Sequence, residues 1–137
     1  MNVVDACGWL EYFTDGPNAE RFAPAIEDPA SLIVPAICLY EVYKRTAEQR
    51  GAVAALTVTA AMRQSRVVAL DGDLAVVAAQ TSSAERLAMA DALILATARS
   101  LGATLWTQDG HFEGLVGVKY WPNVSTPLSV AKKTNLR

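Results

Sequence analysis

Four acidic residues stand where an acid is hard to explain as ordinary surface. Asp5 follows the apolar pair Val3-Val4 at once, and Asp109 lies two residues past the Thr107 that ends TLWT. Glu41 sits within ICLYEVY and Asp91 within LAMADALILA. Asp and Glu are seldom buried without partners, and an unpaired charge at the end of a buried strand is expensive. If the four carboxylates converged they would repel one another. A divalent cation removes that repulsion and takes carboxylates as hard oxygen ligands, which is how magnesium and manganese sites are built. Each acid also has a plainer explanation. Asp5 can cap a helix beginning at Ala6, Glu41 can pair with Lys44 and Arg45 on an exposed helix face, and Asp109 can be a turn residue before Gly110. Asp91 is the least easily dismissed, because the pattern puts it inside a helix, well after Glu85.

Other candidate chemistries are weaker. Asp71 and Asp73 in LDGDLA resemble a phosphotransferase loop only superficially, and helix capping accounts for them better. The chain contains no Gly-rich phosphate loop, and the single histidine, His111, excludes a multi-histidine zinc site; it reads as a surface loop residue rather than an essential base, with a place near the site or a hydrogen bond to phosphate as the other reading. Cys7 and Cys38 are the only cysteines and lack metal or redox spacing, so both read as small buried hydrophobes. The formal net charge of -2 argues against a module that grips nucleic acid by neutralising many phosphates. It leaves room for an enzyme that meets phosphate through a bound cation.

The elements that must position these acids follow from hydrophobic period and turn chemistry. Val3-Val4 ends a first strand, and a helical stretch runs through Trp9, Leu10 and Phe13. DGPNAERFAPAIEDP carries turn signals and at most a short helix. SLIVP is a second buried strand, stopped by Pro35. Helices are predicted over Ala36–Gln49, broken at Gly51, and over Ala52–Arg63. RVVALDGD is a third strand running into a turn, from which Asp71 or Asp73 starts a helix through Ala79. AERLAMADALILATARSLGA is the strongest helical signal, with Leu87, Ala90, Leu93, Ile94, Ala98 and Leu101 on one wide apolar face closed by Gly102. TLWT is a fourth strand and VKYW, before Pro122, a fifth. Short apolar strands alternating with helices imply an α/β domain around a mainly parallel sheet of four or five strands, in which ligands collect beyond the carboxyl ends of the strands. With 137 residues, 52% of them hydrophobic, the chain suits one domain with a real core. No apolar run reaches membrane-spanning length, and the start lacks the basic residues of a signal peptide, so the expected address is cytoplasmic.

NVVDACGWLEYF, PAICLYEVYKR and LAMADALILATARSLGATLWTQDGHFEGL, in that order and spacing, resemble the PIN-domain family, in particular the VapC-like ribonuclease toxins of bacterial toxin–antitoxin pairs. The resemblance covers about residues 1–128, a PIN-like nuclease domain of three-layer α/β/α form, and leaves a polar basic tail at 129–137. It implies that Asp5 is the family's first acid after strand one and Glu41 the glutamate on the helix after strand two. Asp91 corresponds to the helical aspartate of the ADA segment, and Thr107 and Asp109 to the T-x-D-x-x-F loop. Family members commonly have serine or threonine directly after the first aspartate. This chain has Ala6-Cys7, so a hydroxyl near the metal is missing, which implies altered metal affinity rather than lost activity.

The implied chemistry is metal-assisted hydrolysis of RNA phosphodiester bonds by water, leaving a 5′-phosphate and a 3′-hydroxyl. One or two Mg2+ or Mn2+ ions would be held chiefly by Asp5, Asp91 and Asp109. Glu41 would complete the cage directly or through water, with Thr107 orienting a ligand carboxylate or a water. Lys44 and Arg45, following Glu41 on its helix, are the expected contacts to the RNA backbone. The resemblance further implies a homodimer, a small cognate antitoxin protein as partner, and no membrane. Two other readings fit the same residues: a PIN-like nuclease of RNA processing or DNA metabolism, and a non-catalytic α/β interaction protein that keeps its acids for stability.

Overall fold

The computed structural model describes residues 1–124; the predicted tail at 129–137, together with 125–128, lies outside the described residues. Five strands, β1 (Asn2–Val4), β2 (Leu32–Pro35), β3 (Arg66–Val68), β4 (Thr104–Thr107) and β5 (Val118–Tyr120), form one sheet in the order β3-β2-β1-β4-β5. Every neighbouring pair is parallel. Parallel neighbours need long crossovers, and pairs of helices supply three of them. These are α1 (Ala6–Phe13) with α2 (Ala19–Ile26), α3 (Ala36–Arg50) with α4 (Ala52–Met62), and α5 (Gly72–Glu85) with α6 (Met89–Ser100). The result is a three-layer α/β/α domain. The central strands read as unbroken apolar runs because both faces of the sheet are covered: Val3, Val4, Leu32, Ile33, Val34 and Leu105 are fully buried. The outermost strands carry Arg66 and Lys119, charges that discourage further strand pairing at the edges.

Helix α1 approaches the sheet closely because residue 8 is glycine. A Cβ there would stand 2.6 Å from Val4 Cγ1 and 2.9 Å from Phe22 Cε1, closer than carbon atoms pack. Helix α6 packs against β2 and β4, with α5 outside it through a small cluster of Ala78, Leu93 and Ala96. That sandwich changes the expected amphipathic stripe into burial on all sides: every residue from Ala92 to Ala98 is buried. Thr97 is tolerated there because its Oγ1 donates to the Leu93 carbonyl at 2.7 Å.

The helix expected to end near Ala79 runs on to Glu85, and the long helix expected across AERLAMADALILATARSLGA is interrupted. Arg86 takes a left-handed conformation, φ 59° and ψ 48°, and Leu87 N–H reaches back to the Ser82 carbonyl at 3.2 Å. This is a left-handed helix stop of the kind usually made by glycine. Local propensity favours continuation, but burial of Leu87 and packing of α5 over α6 require the chain to turn. An L residue at positive φ carries a steric cost of about 1 kcal/mol that glycine avoids. Arg86→Gly is therefore expected to raise the urea midpoint by the equivalent of about 0.5–1 kcal/mol, and Arg86→Val to lower it. A midpoint unchanged by Arg86→Gly would show that the arginine pays no strain there.

Candidate metal centre

β1 and β4 are neighbours, and on either side of them the chain order runs in opposite directions, so the carboxyl ends of these two strands flank the topological switch point of the sheet. Asp5 follows β1 and is the N-cap of α1, its Oδ1 accepting from Gly8 N–H at 3.0 Å. Capping does not exhaust its role. Thr107, the last residue of β4, donates from Oγ1 to Asp5 Oδ2 at 2.6 Å and accepts the Asp109 N–H at 2.9 Å. Since the lone pair of Oγ1 receives the Asp109 amide, its proton is directed at Asp5. One hydroxyl thus fixes two of the four acids relative to each other. Asp5 is only 3% exposed. Burial pushes its carboxyl up from an ordinary 3.8 to about 6; hydrogen bonds from Cys7, Thr107 and Gly8 partly offset this, and repulsion from Asp109 adds to it.

Asp109 starts the 3-10 turn Gly110–Phe112, its Oδ1 accepting the His111 N–H at 2.9 Å, so the turn explanation holds for its backbone. Its carboxylate also faces the other acids. Asp91 lies not deep inside a helix but in the first turn of α6, a consequence of the break at Arg86. The helix N-terminus favours an acid there, but burial first and repulsion from Asp109 second push its carboxyl up. Glu41, half-buried on α3, is pushed up by burial, then by Asp91 and Asp5, with Arg45 opposing and Asp109 adding. Asp109 thus acts on Asp5, Asp91 and Glu41 at one end of the sheet, while among the described residues Asp5 and Glu41 stand outside the group of donor atoms that lie within 4.8 Å of one another. Among the described residues no ion pair joins Glu41 to Lys44 or Arg45; both cations are exposed, Lys44 lying over the Tyr40 ring at 5.9 Å.

His111 is a surface residue, as expected, and it also lies near the acids, the place the sequence left open. Its ring is exposed, yet Nδ1 stands 3.2 Å from Asp91 Oδ2 and 3.4 Å from Asp109 Oδ1. Asp91, Asp109 and His111 each offer a ligand atom, all within 4.8 Å of one another. The i, i+2 spacing of Asp109 and His111 was the only sequence signal for this. Cys7 departs from expectation: Cys38 is a buried hydrophobe, but the Cys7 thiol donates to Asp5 at 3.0 and 3.1 Å. The missing hydroxyl beside the first aspartate is thus replaced by a thiol and by Thr107. Burial, and then the Asp5 charge, push this thiol far up, so it stays a protonated donor.

Behind the acids lies a polar brace with no sequence signature. Gln108, between Thr107 and Asp109, is buried; its Oε1 accepts from Asn18 Nδ2 at 2.9 Å and its Nε2 donates to Glu11 Oε1 at 3.3 Å. Glu11 Oε2 accepts the Asn18 N–H at 2.7 Å, and Asn18 Nδ2 also reaches the Pro122 carbonyl at 2.9 Å. The brace ties the loop carrying Asp109 to α1, the helix that Asp5 caps. Arg99, a basic residue near the motifs in sequence, is engaged elsewhere, with Glu85 at 2.6 Å and the Val116 carbonyl.

The donor set suits a divalent cation: mutually repelling carboxylates, one imidazole, and hydrogen bonds that orient the buried member. The PIN-domain family model matches residues 3–117. This chain belongs to the PIN-domain family. Solved structures with the same PIN architecture include a toxin–antitoxin complex from Klebsiella pneumoniae, at TM-score 0.74 and 20% identity, covering 87% of this chain and 96% of that one. Mycobacterium tuberculosis VapC20, a sarcin-ricin loop cleaving toxin, superposes at TM-score 0.71 and 22% identity, covering 86% and 97%. DNA-bound VapBC from Salmonella typhimurium does so at 0.66 and 18%, covering 89% and 98%. At these identities the likeness carries the PIN fold alone. No curated protein matches the sequence.

Proposed function

We propose that this PIN domain is a metal-dependent endoribonuclease, the VapC-like toxin of a toxin–antitoxin pair. The observation that carries the proposal is the gathering of Asp5, Glu41, Asp91 and Asp109 near the switch point of a parallel sheet, where burial first and neighbouring acids second raise the proton affinity of Asp5, Glu41 and Asp91. Asp5, Asp91 and Asp109 would hold one or two Mg2+ or Mn2+ ions, and Glu41 would complete the acidic wall and orient a water. Thr107 ties the Asp5 carboxylate to the Asp109 backbone. A divalent cation, when bound, supplies charge neutralisation at the scissile phosphate and acidification of water. Lys44 and Arg45, exposed on α3 beyond Glu41, contact the RNA backbone. With a net charge of -2 the chain has little general attraction for phosphate, so a bound cation and these few contacts would have to hold the substrate.

The partners proposed are a small antitoxin and a second copy of this chain. Two of the structures resembling it are a toxin–antitoxin complex and a VapBC assembly. Tyr40, Val53 and Leu56, exposed on α3 and α4, provide apolar area of the kind that protein partners cover. Among the described residues no helix is long and apolar enough to cross a membrane.

The test is cleavage of a mixed RNA pool with Mg2+, with Mn2+ and with chelator, mapping product ends. Metal-dependent cuts ending in 5′-phosphate and 3′-hydroxyl are expected, and they should vanish in Asp109→Asn. Uncut RNA with either ion, or cuts indifferent to chelator, would remove the nuclease assignment. Copurification with a small protein separates a toxin from a PIN nuclease of other purpose.

A further inference from the structure

We propose that His111 is itself a ligand of the cation, through Nδ1, and that it makes the site selective for manganese over magnesium. The proposal rests on the metal-site reading above and adds to it a nitrogen donor. Three observations carry it. The first is spacing: Nδ1 lies 3.2 Å from Asp91 Oδ2 and 3.4 Å from Asp109 Oδ1. Adjacent ligand atoms around an octahedral ion with bonds of about 2.2 Å stand about 3.1 Å apart. Nδ1 therefore already sits close to the separation it would have from each carboxylate oxygen on one ion, and all three donors lie within 4.8 Å of one another.

The second is how the ring is held. Although the His111 side chain is 74% exposed, its backbone is not free. Its N–H is bound to Asp109 Oδ1 at 2.9 Å, and the next residue, Phe112, is fully buried in the main core. The short turn thus delivers the imidazole over Asp91 and Asp109.

The third is the chemistry of the donors. Magnesium takes oxygen ligands and gives up its waters reluctantly, whereas first-row transition ions accept imidazole nitrogen. A carboxylate cage alone discriminates weakly between Mg2+ and Mn2+. Adding one imidazole tilts it toward Mn2+. In the metal-free protein the same ring nitrogen stands at hydrogen-bond distance from Asp91. Nδ1 would be the ligand atom to a bound ion, which requires the ring proton to reside on Nε2 of this exposed side chain.

The experiment uses the full chain with each metal alone. Mn2+ and Mg2+ binding are measured by calorimetry for the wild type, His111→Ala and His111→Gln, and the Mn2+ complexes are examined by electron spin-echo spectroscopy for coupling to 14N. The wild type is expected to bind Mn2+ at least about tenfold tighter than Mg2+ and to show the nitrogen coupling. Both variants should keep the fold by circular dichroism and lose the coupling. Their Mn2+ affinity should fall about tenfold while Mg2+ affinity changes less than about twofold. Bound Mn2+ without nitrogen coupling in the wild type would overturn the proposal and leave the carboxylate site standing, with His111 a neighbour of the two aspartates only. Absence of any Mn2+ or Mg2+ binding by the wild type would overturn both.

Discussion

Asp5→Asn is expected to cut RNA cleavage by at least about a hundredfold while making the metal-free protein more stable at neutral pH. The two effects share one cause. Asp5 is 3% exposed and its carboxyl is pushed up to about 6 from 3.8, chiefly by burial. Between about pH 4 and pH 6 the folded chain holds a proton that the unfolded chain has released. Stability from this group is therefore fully present below about pH 4, declines as pH rises, and is gone above about pH 6. The two values correspond to an upper estimate of about 3 kcal/mol at neutral pH. Asparagine carries no charge to desolvate. It retains Oδ1 for the Gly8 N–H, and its Nδ2 can donate to Thr107 Oγ1, which has a second lone pair. The check is denaturant unfolding in chelator at about pH 4 and about pH 7.5, beside cleavage assays. The wild type should lose stability across that interval and Asp5→Asn should lose less. Metal should then stabilise the wild type by mass action and the variant hardly at all. Metal-dependent cleavage retained by Asp5→Asn, or a variant no more stable than wild type at the higher pH, contradicts this account.

Thr107→Val should have the second largest effect, and for a reason outside simple packing. Valine matches threonine in shape but removes both the donor to Asp5 Oδ2 and the acceptor of the Asp109 N–H. Leaving those buried groups short of partners costs about 1–3 kcal/mol. Losing a hydrogen bond to its ionised form pushes the Asp5 carboxyl higher still. Cleavage should fall by about ten- to a hundredfold, the scale on which partners of ligand residues act, and its rise with pH should move to higher pH. Thr107→Ser keeps the hydroxyl and should restore both the rate and the pH profile, though not the packing of the lost methyl. A valine variant with the serine variant's pH profile would show that the hydroxyl bridge is unimportant.

Much of the frame was legible along the chain because its causes are local. Val3-Val4, LIVP and TLWT are buried on both sides in a parallel sheet, and such strands show as unbroken apolar runs. Asp71 caps α5, its Oδ1 on Leu74 N–H at 2.9 Å, as the turn chemistry of LDGD predicts. The helix break at Arg86 was not legible, since every residue around it favours helix and only burial of Leu87 beside α6 stops it. Trp9 and Tyr40, both aromatic residues of helices that follow a strand, separate into a core residue at 2% exposure and a surface residue at 59%. Neighbouring sequence does not distinguish them.

The sequence by itself determined which acids are present, that two of them follow strands, and that the domain is α/β. Residue type, hydrophobic period and capping chemistry are properties of a few consecutive residues. Only the tertiary structure decided which atoms meet. Thr107 joins Asp5 across a separation of 102 residues, the Cys7 thiol turns to the same carboxylate, Gln108 is braced by Asn18, and His111 stands over Asp91 and Asp109. Those meetings depend on strand order and on the depth to which each helix packs, which are set by the whole core at once.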